Sequence, residues 1–352
     1  MNTSSTGYEE LIMYNTTENH RGFDETCSRI CFVALSISAF GVLGNVAFLF
    51  VVIRVCSMQT VTNAYLVNLA FADLLHLITH TSLWLCGVLA NPCPVNQDTN
   101  LPVFCVFLVF SRVSQYVSMF TVTVLSLERY VAVCRPIVYR NGAIHRPCVV
   151  ATVIVGTWLM ALLFSSEQFS ACIITTRSYE RHVVVSGIIF LVTLTTLLVI
   201  VTAVYINIIC RVRASTATVR CREKQIIRIC IATACIYFIC MLPSVFQAFM
   251  LVLNALNYNI DNILDKLIVS NNVATILLEV NSSMNPLVYN ALSSSYRSSF
   301  YTAFTCPSPK SRLPLRYSTS GVNLSSRSNT VEENVDCNRL TMQKLNATTS
   351  NN

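Results

Sequence analysis

The residues of this chain that could do chemistry are ionisable and amide side chains set within long apolar runs. Asp73 lies midway along the run 64–89, and His76 and His80 follow three and seven residues later. Helical periodicity puts all three on one face. A carboxylate at mid-membrane depth is costly, so it marks a functional position. The two histidines read as hydrogen-bonded groups facing a bundle interior. A metal site would want a third ligand at suitable spacing; none is evident, so no metal is expected. Glu128 and Arg129 form an adjacent ion pair at the end of a run whose other charge is Arg112. Taken alone, Arg129 could simply snorkel to the membrane edge. The stretch 281–289 reads Asn-Ser-Ser-Met-Asn-Pro-Leu-Val-Tyr. Pro286 removes a backbone donor, and Asn281 and Asn285 place amides in apolar surroundings. Such features persist in membrane helices only where neighbouring helices, polar side chains or water satisfy the freed groups. With Tyr289 they make a deformable polar hinge that faces other helices. No organised nucleophile accompanies the histidines and no phosphate-cradling glycine loop exists, so no enzyme is expected.

These residues need membrane helices to hold them. Of 352 residues 53% are hydrophobic and 12% charged, about half the usual charge fraction of soluble domains. A bilayer-spanning helix needs roughly 20 apolar residues. Seven runs qualify: 30–52, 64–89, 103–127, 149–164, 183–209, 226–253 and 267–291. The fold class is therefore all-α, a seven-transmembrane helical bundle, with 30–291 as the membrane domain. Residues 1–29 are polar and acidic with no apolar centre, so the first span is expected to do the targeting. Loops after spans one, three and five carry ten Lys and Arg, against three after spans two, four and six. The positive-inside rule then puts the N-terminus outside and the C-terminus in the cytosol. The net charge of +7 belongs to the cytoplasmic face and does not point to nucleic acid.

Most of the sixteen cysteines lie within spans or at their cytoplasmic ends, and inside a helix Cys behaves as a small apolar residue. Cys27, Cys93, Cys105 and Cys172 are the ones placed to meet an oxidising compartment. Asn2 and Asn15 open glycosylation sequons on the outer tail. Beyond the last span, Leu292, Tyr296, Phe300, Tyr301 and Phe304 fall near helical spacing. They predict a short amphipathic helix within 292–306 on the inner leaflet, and Cys306 at its end is a palmitoylation candidate. Residues 307–352, rich in Ser, Thr and Asn, are expected to be a disordered cytoplasmic tail whose hydroxyls could take phosphate.

Read together, Gly44-Asn45-Val46, Leu69-Ala-Phe-Ala-Asp73, Glu128-Arg129-Tyr130, Trp158, Tyr205, Cys240-x-x-Pro243 and Asn285-Pro286-x-x-Tyr289 each sit on their own span in order. In this the chain resembles the rhodopsin-like (class A) G-protein-coupled receptors over roughly residues 30–305. The resemblance implies a plasma-membrane receptor that activates heterotrimeric G proteins by outward movement of the cytoplasmic end of helix six. Arg129 would be the cytoplasmic switch, restrained by Glu128 and by an acid at Glu223, and released toward Tyr205 and Tyr289. Asp73, Ser118, Asn281 and Asn285 match the family's buried sodium site, with no other cofactor implied. Cys105 and Cys172 match its disulfide, with Cys93 a rival. Arrestin and receptor kinases would meet the Ser/Thr-rich tail. Departures are Met241 for a usual tryptophan, Tyr237 for a common phenylalanine, and a missing fifth-span proline.

The same resemblance bears on the ligand. Amine receptors carry a third-span aspartate where this chain has Ser111-Arg112, and opsins a seventh-span lysine where it has Glu279. The mouth would be lined by Arg112, Gln115, Glu167, Gln247 and Glu279. Arg112 would suit a ligand carboxylate or carbonyl and Glu279 a basic group, unless the two pair with each other. The ending 281–297 is similar to neuropeptide receptors of the thyrotropin-releasing-hormone and ghrelin type, implying an extracellular peptide ligand. A non-peptide ligand is the alternative. A seven-helix transporter would show internal repeats, and none is seen. A non-signalling membrane protein would not need Arg129.

Overall fold

The computed structural model describes residues 20–89, 101–166, 179–214, 221–255 and 263–305. Seven long helices, α1 (His20–Arg54), α2 (Val61–Leu89), α3 (Leu101–Cys134), α4 (Pro147–Phe164), α5 (Tyr179–Ala214), α6 (Cys221–Ala255) and α7 (Ile263–Leu292), follow one another. A shorter α8 (Ser294–Phe304) comes after them. Neighbours in space close a ring in the order α1, α2, α3, α5, α6, α7 and back to α1. Helix α4 packs outside, against α3 and α2. Helix α3 touches α2, α4, α5 and α6, so residues on its faces can address four other helices.

Among the described residues, six of these helices are long and apolar enough to cross a membrane. The seventh, α7, buries Glu279, Asn281, Ser282, Ser283 and Asn285, and these polar groups dilute its apolarity. The outward faces carry the residues suited to lipid: Phe32, Leu43 and Ile53 on α1, Leu159 and Leu163 on α4, and Val199 on α5 are all exposed. Helix α4, at 18 residues, is about 27 Å long, just short of the hydrocarbon core of a bilayer. Pro147 begins it at a position where a missing amide hydrogen costs nothing.

Polar contacts fasten the bundle across its interior. Asn68 on α2 donates to Thr121 on α3 at 2.7 Å and accepts from the Trp158 indole of α4 at 2.9 Å. Trp158 thus does more than pack: it shares one amide with two other helices. Gly41 on α1 lies so close to α7 that an added Cβ would stand 2.1 Å from Ser283 Oγ. Helix α5 runs without interruption through Thr196, as its missing proline allows, whereas α6 contains Pro243 and α7 contains Pro286. Ser270 of α7 donates to the Pro243 carbonyl of α6 at 3.0 Å.

Helix α8 departs from a single lipid-facing stripe. Tyr296 is buried and Phe300 packs on the core, while Leu292, Tyr301 and Phe304 are exposed. Ser293 caps the helix by accepting from the Tyr296 amide at 3.4 Å. Tyr296 turns inward because its hydroxyl donates to Asn63 of α2 and its ring stacks beside Phe48 and Tyr289.

Candidate functional site

At the inner end of α3, Glu128 and Arg129 are both buried, at 6% exposure each. Burying a guanidinium is tolerable only if its charge and donors are answered. Arg129 donates to both carboxylate oxygens of its neighbour Glu128. It also donates to Thr62 Oγ1 on α2 at 2.7 Å and to the Tyr139 hydroxyl at 3.2 Å. Tyr139 in turn donates to Glu128 at 2.6 Å. It sits on a short helix, Pro136–Asn141, that follows α3. Burial, reinforced by the Glu128 carboxylate, pushes the Tyr139 phenol well above its ordinary range, so it remains a protonated donor. Neither Thr62 nor Tyr139 stood out in the sequence; one hydroxyl sits at the start of α2 and the other in a loop helix, and no motif spacing ties either to Arg129.

Among the described residues, Tyr205, Tyr130 and Tyr289 make no hydrogen bond to Arg129. Tyr205 on α5 is buried and accepts a 3.0 Å hydrogen bond from Ser126. Tyr130 is half-buried against the core. The Tyr289 hydroxyl is buried without a hydrogen-bond partner, its ring 5.1 Å from Phe48 and 5.6 Å from Tyr296. The side chain of Glu223 lies outside the described residues.

One level deeper, Asn285 Nδ2 donates to Asp73 Oδ2 at 2.7 Å, bridging α7 to α2. Asp73 Oδ1 is buried with no hydrogen-bond partner. Ser118 and Ser282 neighbour the carboxylate, and Asn281 is buried on the same helix as Asn285. Asn45 donates to the carbonyls of Gly41 and Ser282, each at 2.9 Å, and leaves its own Oδ1 unpartnered. The Asp73 carboxylate with the Ser118 and Ser282 hydroxyls beside it offers oxygen donors of the kind a small hard cation takes.

Toward the outer half, Arg112 and Gln115 come together: the guanidinium donates to the Gln115 side chain at 3.1 Å and lies 5.2 Å from the Phe190 ring centre. Tyr237 donates to the Gln115 backbone carbonyl at 3.2 Å, and Met241, at the usual tryptophan position, is buried. Gln247 is half-buried on α6. Glu279 does not join this group and does not pair with Arg112. It is fully buried and holds His80 Nδ1 at 2.7 Å and the Ser38 hydroxyl at 2.5 Å. The expectation that no third ligand accompanies His76 and His80 is corrected here. Glu279 reaches them from α7, and one ligand atom from each of the three lies within 4.8 Å of the others. Its separation of about two hundred residues along the chain hid it from any local spacing.

Cys105 is disulfide-bonded. Cys172 and Cys93, with Glu167, Asn2, Asn15 and Cys306, lie outside the described residues.

Residues 44–289 match the family model of the seven-transmembrane receptors of the rhodopsin family. The chain is 30% identical over 294 residues to somatostatin receptor type 4 of Rattus norvegicus, covering 77% of this chain and 71% of the relative. It is 28% identical over 291 residues to somatostatin receptor type 5 of Bos taurus, covering 76% and 73%. Somatostatin receptor type 2 of Mus musculus is 27% identical over 310 residues, covering 81% and 79%. These relatives differ from the thyrotropin-releasing-hormone and ghrelin receptors that the C-terminal stretch resembles. A bundle of membrane-length helices, Glu128 and Arg129 buried at the C-terminal end of α3 and Asn285 joined to Asp73 within it accompany a family match over most of its length: this chain belongs to the rhodopsin family of seven-transmembrane receptors, which are multi-pass membrane proteins and not enzymes.

Proposed function

We propose that this receptor binds an extracellular peptide and, through the release of Arg129, activates a heterotrimeric G protein. The observation that carries the reading is the closed set of contacts on Arg129. A buried guanidinium held by Glu128, Thr62 and Tyr139 has two stable fates: this cage, or an open state in which it meets water and a partner protein. An agonist shifts the balance only by binding the open state more tightly. Helix six, which carries Pro243 in its interior and is tied to α7 there, is the element whose cytoplasmic end moves outward. The N-terminus lies outside the cell and the tail inside, where receptor kinases and arrestin meet its serines and threonines. Asp73, Ser118, Asn281 and Asn285 hold sodium in the resting state; the ion supplies the positive charge that makes a buried carboxylate tolerable.

A peptide ligand is supported by relatives named as somatostatin receptors and by the polar floor that Arg112, Gln115 and Gln247 provide. Arg112 receives a carboxylate or carbonyl. Cells expressing the receptor are to be screened with a peptide panel that includes somatostatin, thyrotropin-releasing hormone and ghrelin, reading calcium and cyclic nucleotides. For the peptide that activates, Arg112→Ala is expected to raise the EC50 about tenfold or more at equal surface expression, the scale of one charged contact. An unchanged EC50 would make Arg112 a packing residue.

A further inference from the structure

Two histidines and a glutamate meet where α2 faces α7. His76 and His80 lie one turn apart on α2, their rings stacked at 5.0 Å between centres and 18° between planes. Glu279 comes from α7 with no exposure, and its Oε1 contacts His80 Nδ1. His80 is the most open of the three, with 15% of its side chain exposed. A neutral reading exists, in which Glu279 is satisfied by His80 and Ser38 and the trio is merely a polar tie between helices. It leaves His76 unexplained. His76 is 2% exposed, and its Nε2 is buried with no hydrogen-bond partner. A buried ring nitrogen without a partner costs stability, in a cluster that otherwise meets its polar needs.

We infer that His76, His80 and Glu279 form a binding site for a divalent transition-metal ion of the zinc class. Two imidazoles and one carboxylate are the donor set such ions take, with a fourth position left for water or a ligand group. The three ligand atoms lie within 4.8 Å, against about 3.4 Å for a tetrahedral zinc site built with ordinary bond lengths. Side-chain rotation closes that gap without moving a helix. The surroundings already orient the ligands. Ser111 Oγ lies 3.3 Å from His76 Nδ1; with Nδ1–H donating to it, Nε2 keeps its lone pair for a metal. Ser38 holds the second oxygen of Glu279. Partners of this kind fix the tautomer and angle of metal ligands. On binding, the proton shared between His80 and Glu279 leaves to solvent and the ion takes its place. Arg112 lies close enough to act on His76, and its charge opposes a cation, so the Glu279 carboxylate is indispensable. An ion here ties α2 to α7.

The test is zinc titration of the purified full-length receptor in nanodiscs, with accessible cysteines first alkylated because several are exposed. Binding is read by competition with a chromophoric chelator and by thermal unfolding. The expected result is one equivalent of zinc that raises the melting temperature. His76→Gln and Glu279→Gln should weaken this binding by about 100-fold or more, and Ser111→Ala by about tenfold. Should those glutamine variants fail to fold, His76→Cys supplies an independent arm: with cobalt(II) it should show a sulfur charge-transfer band absent from the wild type. Equal zinc uptake by wild type and folded glutamine variants would assign the ion to other groups and overturn the inference. So would a wild type that binds none, or a cobalt spectrum that His76→Cys leaves unchanged.

Discussion

Tyr139 carries more of the resting state than its place in a loop helix would lead one to expect. It donates to Glu128 and accepts from Arg129, adding to the hold that Thr62 has on the same guanidinium. Hydrogen bonds to charged groups are worth about 1.5–3 kcal/mol each. Tyr139→Phe keeps the ring and loses both, so the open state should gain roughly tenfold or more in population. The readout is agonist-free nucleotide exchange on G proteins in membranes, expected to rise at equal receptor density; an unchanged rate would put the restraint on Arg129 elsewhere. At this scale the sequence marked the charged, imidazole and amide groups and was silent about the hydroxyls of Thr62, Tyr139 and Ser111 that contact Arg129 and His76. Arg129, Asp73 and His76 announce themselves because charge or imidazole in an apolar run is rare. Their partners Thr62, Tyr139, Ser111 and Glu279 come from other helices, and a spacing rule sees only its own helix. The pairing of Arg112 with Glu279, an open possibility from residue types, is absent because Glu279 is engaged by His80 and Ser38 instead.

Helix α1 comes close to α7 at Gly41. A Cβ on Gly41 would stand 2.8 Å from both Ser283 Cβ and Leu77 Cδ1, so the two backbones would have to separate. Gly44 leaves 3.5 Å to Pro286, and Gly156 has nothing within 4 Å. Gly41→Ala should therefore destabilise the receptor by about 1–3 kcal/mol, the usual range for overpacking. Gly156→Ala should be neutral or slightly stabilising in its helix. Thermal unfolding of the detergent-solubilised protein separates them, and equal melting temperatures would mean that α1 shifts freely. Small residues such as Gly41 and Gly44 allow close helix approach, but their spacing does not say which of the two makes it. Helix α8 was legible as an element and misread as a surface. Periodicity grouped Tyr296 with Tyr301 and Phe304, yet a tyrosine with Asn63 within reach gains more by turning into the bundle than by lying on lipid.

For the whole molecule, seven apolar runs and a few ordered motifs were enough to expect the bundle, because crossing a bilayer leaves a helix few alternatives. Polar groups are buried at several levels of that bundle: the histidine pair and Glu279, Asp73 with Asn285, and the contacts around Arg129. Asp73→Asn should abolish any sodium dependence of agonist binding while leaving surface expression intact. Radioligand or fluorescent-peptide binding measured in sodium against choline salts gives the answer, and a sodium effect that survives the substitution would move the ion elsewhere. The most direct measurement concerns Arg129 itself and needs no ligand. Thr62→Val with Tyr139→Phe opens the cage, and Arg129→Ala is then added to that same protein, with agonist-free nucleotide exchange measured across a panel of G proteins at matched surface density. Exchange is expected to rise in the opened variant and to fall to the level of receptor-free membranes once Arg129 is removed. Exchange that persists without Arg129, or a cage whose opening changes nothing, would contradict a receptor that signals through this residue.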